Sequence, residues 1–195
     1  MTSAKPAGSY HHGDLAPALR RAAREILEEE GLSALSLRSV ARRAGVSHAA
    51  PYRHFPSREA LLAEVAIEGL AELRADIAKA AAAPGRPADR IAHIGAAYAG
   101  FAARHPGLLR LMFGSELPNR HEFGGLAEAT DSIAAEIGSS LGDPIRGLAV
   151  WAAVHGIAIL CLEKVLDLGQ RQAGLDVLAS RAEILLRSLF SEPLD

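Results

Sequence analysis

The chain has 195 residues, of which 49% are apolar, 23% charged and 5% aromatic. That is a globular composition, which excludes a disordered chain and leaves an interior built mainly from Ala and Leu. A single cysteine excludes an internal disulfide framework and any multi-thiolate metal cluster. The net charge of -2 hides an asymmetry: residues 1–58 hold nine Lys/Arg against five acids, and no acid lies between 31 and 58. A cationic stretch on an otherwise acidic chain fits either an end that meets a polyanion or a solvated charged face. No apolar segment follows Met1-Thr2-Ser3-Ala4-Lys5-Pro6, so no export signal is expected. The longest apolar run, Leu148 to Leu162, is shorter than the roughly 20 residues of a membrane span and contains His155. A cytoplasmic protein is expected.

In chain order, Asp14 is placed to cap a first helix, with Pro17 inside its first turn and Leu15, Leu19, Ala22, Ala23, Ile26 and Leu27 along one face. Gly31 ends it, although the run Glu28-Glu29-Glu30 opposes the helix dipole there. Ser36 then caps a helix whose inner stripe is Leu37, Val40, Ala41 and Ala44, and Gly45 stops it. Ser47 caps the next almost at once. Two helices joined by about three residues containing Gly have helix-turn-helix spacing.

The following helix, expected from His48 to about Phe55, tolerates Pro51 only within its first turn. Tyr52 and Phe55 are assigned to its inner side. His48, Ala49, Ala50, Arg53 and His54 are left for the outer face. Pro56-Ser57 interrupts, and a long helix runs from about Arg58 into the Ala80–Ala83 stretch before Pro84-Gly85-Arg86-Pro87. Further helices are expected over 88–104, 108–113, 126–141, from Asp143-Pro144 to about Leu168, and over 175–190. No segment alternates with period two long enough for a strand. The chain reads as all-α, with about nine helices.

Ala41-Arg42-Arg43-Ala44-Gly45-Val46-Ser47, then Pro51-Tyr52-Arg53-His54-Phe55, then Ser57-Arg58-Glu59-Ala60-Leu61-Leu62 closely resemble the DNA-binding domain of the TetR family of bacterial regulators. The resemblance covers roughly residues 10–65 without a gap. It departs at Pro51, where the family often has Leu, and at Ala50, where it often has a hydroxyl residue. The resemblance implies a helix-turn-helix domain over 1–58 and a helical effector-binding and dimerisation domain over 59–195. The B-DNA major groove is about as wide as an α-helix with its side chains, so the helix at 48–54 fits it. Ser36 and Ser47, at helix starts, and Arg38 suit phosphates. By resemblance Arg58 meets the DNA backbone, and Tyr52 sets its ring in the core with its hydroxyl toward a phosphate. His48, Arg53 and His54 are candidates for base edges, and Ala49 for a thymine methyl, with Ala50 beside it.

The arm Ser9-Tyr10-His11-His12-Gly13-Asp14 also looks like the start of one TetR subgroup, and two histidines without further ligands do not make a metal site. Val150-Trp151-Ala152-Ala153-Val154-His155-Gly156 resembles a Trp-x-x-x-His-Gly motif of the same subgroup. Trp151 and His155 share a helix face, and Gly156 permits another helix to approach closely. The pair reads either as polar tips in an apolar effector cavity, lined also by Tyr98, Gly100, Phe101, Met112 and Phe113, or as a packed core or dimer pair. Cys161, among Ile157, Ile159, Leu160 and Leu162, reads as core. The last two helices carry broad apolar faces (Leu148, Val150, Ile159, Leu162 and Val165, then Leu178, Ala182, Leu185 and Leu189), which in the family form a dimer interface.

By resemblance the chain is expected to be a homodimeric repressor. It would bind a near-palindromic double-stranded operator and leave it on binding a small-molecule effector, with no cofactor, metal or membrane. An activator or an effector-independent regulator is the alternative. No Gly-x-Ser-x-Gly elbow, phosphate loop or His-Glu-x-x-His helix points to an enzyme.

Overall fold

The computed structural model describes residues 15–165 together with Ser180, Glu183, Ile184 and Leu186. Among these residues there is no strand. They form seven α-helices and three single-turn 3-10 helices, against the nine or so helices expected of the whole chain. The chain divides into two compact units, Met1–Val65 and Ala66–Asp195.

In the first unit, α1 (Leu15–Glu29) buries Ala18, Leu19, Ala22, Ala23, Ile26 and Leu27, the stripe its helical spacing predicts. Gly31 turns the chain with a φ of 82° into a 3-10 helix, Leu32–Ala34, that periodicity did not reveal. The second helix, α2 (Leu37–Arg43), begins on a reciprocal cap. The Ser39 N–H donates to Ser36 Oγ at 3.0 Å and the Ser36 N–H to Ser39 Oγ at 2.9 Å. Ser39, rather than the expected Ala44, joins Leu37, Val40 and Ala41 in the buried set. Its hydroxyl is satisfied by the Ala34 or Ser36 carbonyl, each 2.9 Å away.

At the far end of α2, Gly45 at φ 69° closes a Schellman turn. The Val46 N–H reaches the Ala41 carbonyl at 3.0 Å, and the Gly45 N–H the Arg42 carbonyl at 3.2 Å. The inner helix edge thus ends with its carbonyls paired.

The third helix, α3 (Arg58–Ala81), starts in the first unit and continues in the second. The second unit also holds α4 (Pro87–Arg104), α5 (Pro106–Phe113), a 3-10 turn at Arg120–Glu122, α6 (Leu126–Leu141) and α7 (Pro144–Leu162). Asp143 caps α7 by accepting the Ile145 and Arg146 N–H groups, as its place before Pro144 predicts.

The α7 helix packs against α6 and α4. Its contact with α6 is backbone on backbone, since a methyl added at Gly147 would overlap the Gly138 main chain. This close approach at Gly147 is one that the sequence reading did not single out. Nothing described lies within 4 Å of where a Cβ on Gly156 would stand. The α7 helix ends earlier than expected, at Leu162, because Lys164 turns left-handed at φ 58° and the Val165 N–H returns to Leu160.

The helix expected over 175–190, with Leu178, Ala182, Leu185 and Leu189, lies mostly outside the described residues. Ser180, Glu183, Ile184 and Leu186 are helical. The arm at 9–14, including the Asp14 cap, lies outside them as well.

Candidate nucleic-acid interface

The segment after Gly45 is not the α-helix expected over 48–55. It is a turn followed by a 3-10 helix at Pro51–Arg53. Its backbone bonds mostly span three residues: Ala50 N–H to Ser47 O at 3.0 Å, Arg53 to Ala50 at 3.2 Å, and His54 to Pro51 at 2.9 Å, with the Phe55 N–H returning four residues to the same Pro51 carbonyl at 2.9 Å. Pro51 supplies the reason. It has no N–H to return to the Ser47 carbonyl, so the turn winds more tightly around the bonds that remain.

The inner pair is Pro51 and Phe55, both buried, rather than Tyr52 and Phe55. Tyr52, whose ring the resemblance places in the core, is 62% exposed. His48, Ala49, Arg53 and His54 face outward, Ala50 is half-buried, and Ser47 is exposed without capping this 3-10 helix. The outer set read from the sequence is therefore together on one exposed turn, with Tyr52 added to it.

The guanidinium groups of this unit divide into two kinds. Arg43 is spent internally: its Nη1 lies 2.9 Å from Glu29 and 3.6 Å from Glu25, and its Nη2 lies 2.6 Å from Glu30. The hydrogen bond to Glu29, with the charges of Glu29 and Glu30, raises the Arg43 pKa further. This explains the glutamates that sit against the α1 dipole. Arg43 on α2 compensates them. Arg38 and Arg42, by contrast, stand four residues apart on one exposed face of α2 and, like Arg53, make no hydrogen bond or ion pair with any described residue. Arg42 was not among the residues singled out from the sequence, although its spacing from Arg38 and the absence of acids nearby pointed to it.

Ser36 has its hydroxyl in the cap described above. Arg58 is committed inward, with Nε donating to the Leu35 carbonyl at 2.8 Å and Nη2 to the Leu32 carbonyl at 3.0 Å. It ties the start of α3 to the 3-10 turn that precedes α2.

In the second unit, four of the aromatic and imidazole side chains come together. Tyr98 Oη lies 2.7 Å from His155 Nδ1, and the Phe113 ring meets His155 at 4.8 Å and Trp151 at 5.9 Å between centroids. Burial pushes the Tyr98 phenol well above its ordinary range, against a smaller downward pull from the nearby Trp151 N–H. Burial also holds the His155 imidazole below its usual range. Trp151 Nε1 is sealed from solvent and has no hydrogen-bond partner of acceptable geometry. Phe101 and Met112 are buried, but Phe101 packs its ring on His105 at 5.1 Å, and the Met112 sulfur fills the space beside Gly69. Gly100 lies against Arg104, and Cys161 is buried with Ala99.

Residues 19–65 match the family model described as bacterial regulatory proteins, tetR family, and residues 91–182 match the tetracyclin repressor-like C-terminal domain, together more than half the chain. The chain belongs to the TetR family. As a TetR regulator it is a DNA-binding transcriptional regulator with an N-terminal helix-turn-helix, in a family that is in general not enzymatic. No curated protein matches the sequence.

Among solved structures, a Rhodococcus sp. RHA1 protein of unknown function is 33% identical, with a TM-score of 0.72, covering 95% of this chain and 100% of that one. A TetR/AcrR-family regulator from Thermobifida fusca YX-ER1 is 20% identical, with a TM-score of 0.67, over 91% of this chain and 98% of its own. The regulator FadR from Bacillus subtilis, solved with stearoyl-CoA, is 14% identical, with a TM-score of 0.64, over 88% and 97%. The last two likenesses are of fold.

Proposed function

We propose that this TetR regulator is a cytoplasmic homodimeric repressor that a small molecule releases from a near-palindromic operator. Residues 1–58 bind the DNA, and 59–195 bind the effector and the second copy. The observation that carries the DNA-reading surface is the set of three guanidinium groups, Arg38, Arg42 and Arg53, left exposed and unpaired beside the Pro51 turn while Arg43 is neutralised. A desolvated phosphate contact favours cations with no competing acid. Arg38, Arg42, Ser36, Ser47 and the Tyr52 hydroxyl are assigned to phosphates. Arg53, His48 and His54 are assigned to base edges, and Ala49 and Ala50 to methyl groups. Arg58 supports this surface from behind through Leu32 and Leu35.

Support for the dimer comes from α7. By length and composition it is apolar enough to cross a membrane, yet only 28% of its apolar window is buried. Ile145, Leu148 and Leu160 are exposed on it. In a TetR protein that face suits a second copy of the same helix pair. An effector-independent regulator is the second reading, favoured by the full burial of Tyr98, Phe101 and Met112.

Selection of bound sequences from random duplex DNA, followed by anisotropy titration and sedimentation on the selected site, tests the proposal. A two-fold symmetric site bound by one dimer is the expected result. No enrichment at low salt, or a monomer on a single half-site, overturns it.

A further inference from the structure

Every side chain assigned to DNA falls between two places in the chain that one residue joins. The assigned residues run from Ser36 to His54. Just before them lie Leu32, in the first 3-10 helix, and Leu35, at its end. Just after them, in the first turn of α3, lies Arg58. Its Nε donates to the Leu35 carbonyl at 2.8 Å and its Nη2 to the Leu32 carbonyl at 3.0 Å, across 23 and 26 residues. These two hydrogen bonds close a ring of chain that carries both α2 and the Pro51 turn.

Both sides of the closure are fixed locally. Ser57 caps α3 by accepting the Ala60 N–H at 3.1 Å, which sets the backbone from which Arg58 departs. Opposite, the Ser39 hydroxyl lies 2.9 Å from the Ala34 carbonyl, which stands in sequence between the two that Arg58 takes. Nε and Nη2 form one edge of a rigid planar fork, so they hold two oxygens in a set orientation, as a compact ammonium does not. The remaining nitrogen, Nη1, stands 3.9 Å from the Glu59 carboxylate. A cation in the first turn of a helix opposes the dipole, and the carbonyl oxygens and Glu59 offset that here. Arg58 thus resembles Arg43, engaged within the protein, and not the outward Arg38, Arg42 and Arg53. The apolar anchor of α3 in the first unit is separate from it, since Leu61, Leu62 and Val65 are buried.

We infer that Arg58 is a positioning residue for operator recognition. Through Leu32 and Leu35 it fixes the pitch of the Pro51 turn against α2, and it gives nothing to phosphate itself. Phosphate charge repeats along the duplex, so Arg38 and Arg42 keep their attraction when the turn tilts. Side chains at base edges must meet donors and acceptors at hydrogen-bond distance, and a tilt breaks that match. Loss of the closure therefore removes discrimination between sequences and leaves unspecific attraction in place. The inference rests on the DNA-reading proposal above, and it gives Arg58 a role opposite to the phosphate contact that resemblance implies.

The test uses the full-length protein, the site selected from random DNA and a scrambled duplex of equal length, with anisotropy titrations at several salt concentrations. R58M keeps the apolar stem and loses charge and donors, whereas R58K keeps the charge and loses the fork. Both variants are expected to bind the selected site at least about tenfold more weakly, the worth of one or two hydrogen bonds. Their affinity for the scrambled duplex is expected to stay within about twofold of the parent, with the same salt slope. Loss of fold alone would not separate the two duplexes in this way. Melting temperatures are measured alongside, and if R58M melts below the assay temperature, R58K decides by the same ratio.

Parent-like binding of the selected site by R58K overturns the positioning role, because a point charge would then suffice. A slope flattened by about one unit in R58M overturns it too, since Arg58 would then hold a phosphate. Equal losses on both duplexes do the same. In each of these cases a parent protein that still selects its site leaves the DNA-reading proposal standing. A parent protein that enriches no sequence overturns that proposal, and the positioning role with it.

Discussion

The two units of this protein handle unpaired polar groups in opposite ways. In the first, they are cations held outside: Arg38, Arg42 and Arg53 point to solvent while Arg43, one residue from Arg42, is enclosed by three glutamates. In the second, nitrogens without a hydrogen-bond partner lie inside, among them the Trp151 Nε1 beside Phe113 and the Tyr98–His155 pair. A cation left in water costs little and remains available to a polyanion. A donor left in the core is expensive and persists only where something else offsets it. The first arrangement suits reversible contact with DNA.

That contrast can be broken at several points. The largest effect is expected from Gly147→Ala, because the added methyl overlaps the Gly138 backbone. The gain in helix propensity, about 1 kcal/mol, is outweighed by overpacking of about 3 kcal/mol. Urea unfolding measures the difference, and an unchanged midpoint would contradict the close packing of α6 on α7. Tyr98→Phe strips half-buried His155 Nδ1 of its donor and is expected to destabilise the fold by about 1 kcal/mol in the same assay.

The outer set is tested by salt. Arg42→Ala is expected to weaken every duplex alike and to flatten the dependence of log K on log salt by about one unit, while Arg43→Ala leaves that slope unchanged. Anisotropy titrations at several salt concentrations read both. A flattened slope in Arg43→Ala would erase the distinction between the two guanidinium groups. Acid offers a finer test of the inner set. His155 titrates near 6.5 when unfolded and lower when folded. Below about pH 6.5 the unfolded chain therefore binds the extra proton, and stability falls as pH drops toward the folded value. His155→Gln is expected to make the fall shallower in pH-dependent thermal melts. The smallest effect belongs to Lys164→Gly, which relieves a left-handed residue at φ 58° and is expected to stabilise by somewhat under 1 kcal/mol.

The helical fold was legible because its causes are local. The α1 stripe, the Ser36 and Asp143 caps and the stops at Gly31 and Gly45 each depend on a few neighbouring residues. The outer set of the reading turn was legible too, from charge and from the motif around Arg53. What sequence left hidden depends on partners far along the chain. Nothing near Arg58 announces that it will bind carbonyls 23 and 26 residues earlier, and the glutamates of α1 make sense only once Arg43 arrives from α2. Periodicity also assigned Tyr52 inward, since it counts residues as if the turn were α-helical, whereas Pro51 forces a tighter winding and takes the inner place itself. Around Trp151 the motif identified two of the four rings, and Tyr98 and Phe113 were among the residues expected beside them. Phe101, Met112 and Gly100, expected in the same place, meet His105, Gly69 and Arg104 instead, and no spacing rule separates the two groups.

The meeting of Gly147 with Gly138 has a mechanical side. Two main chains that touch with no side chain between them cannot slip past one another without breaking van der Waals contact, but they can roll. The point of contact lies near the N-terminal end of α7, and Leu160 is 13 residues farther on, roughly 20 Å away at 1.5 Å per residue. A small rotation about that fulcrum therefore displaces the distant end of the helix several times more than the near end.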